Sequence, residues 1–116
     1  MNKFNIYTGN DLMGLKVDNN YLVFKVNDPD CKILLAVTRK GNSLFMHFAS
    51  DKKGLPKLKT YMPEFEKFLF DKYKWCEFVM ASIHRKSIAR LAKQLGCIQV
   101  YRRKNDKYSG IWIKAR

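Results

Sequence analysis

The chain has 116 residues, 47% of them hydrophobic and 14% aromatic, which suffices for one packed domain and leaves no room for two. No stretch approaches the 18 apolar residues of a membrane-spanning helix, and the N-terminal MNKFNIYTGND lacks the apolar core of a signal peptide, so we expect a cytoplasmic protein with no membrane partner. Twenty-three Lys and Arg against ten Asp and Glu give a formal net charge of +13, which favours a polyanionic partner: nucleic acid, an acidic protein surface or the phosphates of a cofactor. Basic residues occur in every segment and form no single run. Cys31, Cys76 and Cys97 are odd in number and without C-x-x-C spacing, so they read as reduced thiols, and two histidines without a carboxylate cluster make no metal site.

Residues 1–20 are weakly patterned. Phe4, Ile6 and Tyr7 fit a short strand, and Asn10 or Asp11 would cap one helical turn over 12–15. Tyr21 to Val26 is aromatic and β-branched, a strand ended by the turn Asn27-Asp28-Pro29-Asp30. Lys32 to Arg39 and Ser43 to Ser50 form a hairpin about Gly41-Asn42. In its second strand Leu44, Met46 and Phe48 alternate with Phe45, His47 and Ala49, so both faces are apolar and the strand is central.

The segment Asp51 to Lys59 leads into a helix over 56–72. Gly54 reads as a point of backbone freedom and Pro56 suits a first turn, while Leu58, Met62, Phe65, Leu69 and Tyr73 keep a 3.6-residue stripe. Pro63 removes a hydrogen bond to Lys59, predicting a kink, or a loose turn to 61 before a firm helix from 62. Trp75 to Ile83 reads as a buried strand. Ile88, Leu91, Ala92 and Leu95 then place one apolar stripe on a helix over 86–95, with Lys86, Arg90 and Lys93 on its other face and Gly96 as its stop. Cys97 to Arg103 and Tyr108 to Lys114 complete a hairpin about Lys104-Asn105-Asp106.

The order is β-β-β-α-β-α-β-β, and the run SIARLAKQLGCIQV places Leu91, Leu95 and Gly96 in an LxxLG helix end. Order and helix together resemble the GNAT (GCN5-related) N-acetyltransferases from their second strand onward, over residues 21 to 114, and the small GNAT-like proteins of phages most of all. The resemblance implies an α/β (α+β) fold: one domain over 1–116, with a mixed, mostly antiparallel sheet of about six strands splayed in the middle, two main helices and a shortened N-terminal part. It also implies acetyl-CoA as cofactor and an amine as acyl acceptor, within the host cytoplasm if the chain is phage-encoded.

By the same resemblance the backbone of His47, Phe48 and Ala49 would receive the pantetheine arm. Lys52, Lys53, Gly54, Leu55 and Lys57, with Arg85, would receive the phosphates. His47 and Glu77 are the candidates for proton transfer. Departures from the family pattern are equally readable. The Tyr that serves many of these enzymes as general acid falls on Ala92, and the second glycine of the phosphate loop falls on Pro56, which has no N–H to donate.

These losses and the +13 charge define an alternative from another class: a GNAT scaffold without catalysis that binds nucleic acid or an acidic host or virion protein, through Arg90, Lys93, Arg102 and Arg103. A helix-turn-helix over SIARLAKQLGCIQVYRR is the least favoured reading. Its second helix would need an apolar residue where Arg102 stands, and Ile98 and Val100 prefer a strand.

Overall fold

A computed structural model describes residues 3–116. Seven strands form one sheet: β1 (Phe4–Ile6), β2 (Leu22–Val26), β3 (Ile33–Lys40), β4 (Ser43–Ser50), β5 (Phe78–Ile83), β6 (Ile98–Arg103) and β7 (Asp106–Ala115). Their spatial order is β1-β2-β3-β4-β5-β7-β6. Every neighbouring pair is antiparallel except β4 and β5, which run parallel because the helix α1 (Leu58–Lys72), entered through a 3₁₀ turn at Leu55–Lys57, carries the chain back between them. The second helix, α2 (Lys86–Gln94), joins β5 to β6.

The sheet has one strand more than the six expected, since β1 pairs with β2 through Phe4↔Val26 and Ile6↔Phe24. The helical turn expected at 12–15 does not form. Met13 and Gly14 have φ of 53° and 82°, and the Asp11 carboxylate caps the Met13 N–H in a local turn, so the cap residue closes a loop and no helix follows it. The strand expected from Trp75 begins only at Phe78. Helix α1 runs unbroken through Pro63, and the loose turn to 61 is absent: Leu58 and Met62 are buried on the sheet, and their burial holds the first turns helical.

Both helices pack on one face of the sheet. The stripe Leu58, Met62, Phe65 and Leu69 meets Phe24, Val26, Ile33, Leu35, Leu44 and Met46, and Phe4, Phe24, Phe65 and Phe68 form a ring cluster with centroids 5.0–5.9 Å apart. Each fully buried side chain of this size contributes about 1.5–3 kcal/mol, so this face dominates the stability of the domain. Ile88, Leu91 and Leu95 of α2 join the same core. At the end of α2 Gly96 takes φ of 89°, and the Cys97 N–H returns to the Ala92 carbonyl at 2.9 Å, a closure that side chains rarely allow. Residues 98–103 are a strand, which excludes the helix-turn-helix. Among the described residues no helix is long and apolar enough to cross a membrane, and the three cysteines are free thiols.

Candidate functional site

The parallel ladder between β4 and β5 is short. Ser43 pairs with Phe78, Leu44 with Val79, Phe45 with Met80 and Met46 with Ala81, and there it stops. Beyond it β4 continues to Ser50 against β3 alone, and β5 continues to Ile83 against β7 alone. Two strand edges therefore diverge from Met46 and Ala81 with their facing backbone groups unpaired across the gap, an opening suited to an extended chain that carries amides.

On the helix side the gap widens into a cleft of about 250 Å³. Its walls are apolar: Met46, Leu58 and Met62 on one side, Ile88, Leu91 and Leu95 on the other, over Val79 and Ala81. His84 and Arg85 stand at its mouth, where Arg85 is the residue preceding α2.

His47 is the first β4 residue past the ladder and lines the opening. Strand alternation turns its ring to the face away from the helices, between Phe45 and Tyr21 at centroid distances of 5.4 Å, with Nε2 3.2 Å from the Tyr21 hydroxyl. Burial pushes its pKa down, so the neutral imidazole prevails at neutral pH. Tyr21 was not among the residues singled out in the sequence; the strand expected from it begins at Leu22, and only sheet pairing of β2 and β4 through β3 brings Tyr21 beside β4.

Glu77 is elsewhere. It precedes β5 at the closed end of the ladder, where its carboxylate accepts from the Asn42 amide and its N–H donates to the Asn42 carbonyl at 2.8 Å. His47 lies one residue past Met46, level with Ser82 and five residues along β5 from Glu77, or about 16 Å at strand rise. The two expected proton carriers are not brought together.

Loop 51–57 is tied down from inside. The Asp51 carboxylate accepts the Gly54 N–H at 2.8 Å through one oxygen and the Lys32 N–H at 3.0 Å through the other. Gly54 has an ordinary φ of −79°; glycine is required because a Cβ would lie 2.3 Å from Ser50 Oγ and 2.7 Å from an Ile33 side-chain carbon. Space, and not the backbone freedom expected from the sequence, explains this residue. Lys57 donates to Asp28 at 2.9 Å, and Tyr61 bonds the same oxygen at 2.7 Å, which lowers the Asp28 pKa and raises the Tyr61 phenol to about 12. Lys52, Lys53 and Leu55 are exposed.

A buried carboxyl at the inner end of the cleft carried no sequence signal, since Glu66 falls next to the apolar stripe of α1. It is 7% exposed, and its hydrogen bond comes from the Cys97 thiol at 3.9 Å, a weak donor. Burial raises its pKa, against the opposing pull of Lys114.

No family model matches the sequence, and no curated protein compared with it matches either. Solved structures do match. A mutant of the spermidine N-acetyltransferase of Vibrio cholerae superposes with a TM-score of 0.62 at 14% identity, over 83% of this chain and 64% of its own. The dodecameric structure of that enzyme in an intermediate state gives 0.64 at 12%, over 84% and 66%. A ribosomal-protein-S5-alanine acetyltransferase of Vibrio fischeri gives 0.62 at 12%, over 84% and 62%. This chain has the GNAT fold. It spans less than two thirds of the length of each GNAT chain it matches, and at these identities the similarity establishes architecture alone.

The GNAT cofactor, acetyl-CoA, fits one part of the site and not the other. The splayed edges and apolar cleft suit a pantetheine arm. The loop that would cradle the pyrophosphate has one N–H held by an internal carboxylate, no N–H at Pro56, and Lys57 paired with Asp28. Of the other cations expected there, Lys52, Lys53 and Arg85 are exposed.

Proposed function

We propose that the chain binds an acyl-CoA thioester in the opening between β4 and β5 and passes the acyl group to an amine. The ladder's end at Met46 and Ala81, with an apolar cleft directly behind it, is the observation that carries the reading. His47 stands at the opening, and its neutral imidazole is the group able to take the proton that an attacking amine gives up. A spermidine N-acetyltransferase and a ribosomal-protein alanine acetyltransferase share the fold, which supports acetyl transfer to an amine without selecting the acceptor.

Titration calorimetry with acetyl-CoA tests it. Saturable binding is expected, with Ala81→Trp abolishing it by filling the slot and Lys53→Glu weakening it. In a thiol-release assay against a panel of amines, His47→Gln should lower turnover by about 10²-fold with binding retained, the usual scale for loss of a general base. Absence of binding at millimolar acetyl-CoA overturns the reading.

A further inference from the structure

The positive charge is not spread evenly over the molecule. Residues 84–116 hold ten of the 23 Lys and Arg but only Asp106 of the ten acids, so +9 of the +13 sits on the last 33 residues. Lys114 and Arg116 give donors to the backbone carbonyls of Leu95 and of Cys76 and Phe70. The other eight belong to α2, its entry and the β6–β7 hairpin.

Tertiary packing makes these one surface. The Tyr108 ring of β7 has the Lys86 and Lys107 ammonium groups 5.1 Å from its centroid and the Arg90 guanidinium at 5.9 Å, which seats the basic row of α2 beside the hairpin. A hydrogen bond from Arg90, helped by the charges of Lys107 and Lys86, pulls the Tyr108 phenol pKa down against the effect of burial. The one acid is engaged: Asp106 accepts from the Tyr108 N–H and from the Ser109 hydroxyl, both at 2.9 Å. No salt bridge among the described residues involves any of these cations.

Lys86, Arg90 and Lys93 at i, i+4 and i+7 extend over about 10 Å of helix, longer than one phosphate group can satisfy. On the hairpin, Arg102, Arg103, Lys104 and Lys107 are all exposed, which continues the basic surface beyond the helix.

We propose that α2 and the β6–β7 hairpin form a binding surface for nucleic acid, with the cations on its phosphates. The surface goes beyond the acyl-transfer reading and does not depend on it. Charge complementarity selects the occupant: eight cations against the one acid suit the evenly spaced phosphates of a nucleic acid.

The test uses a fluorescein-labelled 20-nucleotide single-stranded DNA and anisotropy. At 50 mM salt it should bind, and neutralising about four phosphates gives a log–log salt slope near −3, or about a 50-fold loss by 200 mM. Lys86→Glu/Arg90→Glu/Lys93→Glu should lower affinity at least 100-fold, with an unchanged circular dichroism spectrum confirming the fold. The milder Lys86→Gln/Arg90→Gln pair should reduce the slope by about one. Lys52→Glu/Lys53→Glu, on the cofactor loop, should leave DNA binding intact. No binding at 50 mM salt, equal binding by the triple variant, or displacement by poly-glutamate at equal charge overturns the proposal.

Discussion

The Asp51 carboxylate holds the Gly54 N–H at 2.8 Å, at the position where the GNAT resemblance expects a backbone donor to meet a pyrophosphate. An anion already meets that donor, and it belongs to the protein. The contact orders the loop between β4 and α1 by satisfying a donor ahead of the first helical turn, and it sets a negative charge where a phosphate would approach.

Asp51→Asn separates these two effects. The amide oxygen can still accept from Gly54 while the NH2 faces the Lys32 N–H and loses that bond, so the melting temperature should fall less than with Asp51→Ala, and the lost charge should tighten acetyl-CoA binding several-fold. Asp51→Ala removes both hydrogen bonds and should cost about 1 kcal/mol in stability. Calorimetry and thermal melts on the two variants check this. Weaker acetyl-CoA binding by Asp51→Asn would mean that the phosphates lie elsewhere.

Glu66 makes stability depend on pH in a stated direction. Its folded pKa lies above the unfolded value, so the folded state holds the proton more tightly. The stability this contributes is present below the ordinary glutamate pKa of about 4.3 and is lost as pH rises through the higher folded value. Glu66→Gln should therefore melt higher than the parent at pH 7, with the difference vanishing near pH 4. Melts across pH 4–8 decide it, and an equal or lower melting temperature at pH 7 would show that Lys114 compensates the buried charge.

Gly110 is fixed by contact between backbones. Its φ is 150°, and an added Cβ would lie 1.8 Å from the Tyr101 carbonyl oxygen, where β6 carries a register shift against β7. Gly110→Ala must push the two strands apart and should destabilise the domain by several kcal/mol, a cost on the scale of backbone strain plus lost ladder bonds. Hydrogen exchange should report the loss first at residues 98–103. Unchanged protection there would show that the hairpin moves at no cost.

The local elements were legible because each rests on neighbours in sequence. A period of two in 43–50, a period of 3.6 in 58–72 and in 86–94, and glycines at 41 and 96 specify strands, helices and their ends through contacts within a few residues. The element order carried the fold, and the charge asymmetry of residues 84–116 was present in the sequence as well. What made that asymmetry a surface was Tyr108, which joins two elements by packing.

The site itself was decided only in three dimensions. Tyr21 meets His47 across 26 residues, Asp28 takes Lys57 across 29, and Glu66 is sealed in by Cys97 across 31. A single sequence sets residue types and local periods, but which strand edge stays unpaired, and which charge finds a partner, depend on chain returns whose closure is settled by the packing of the whole sheet. For that reason His47 and Glu77, both plausible as proton carriers along the chain, end about 16 Å apart at strand rise.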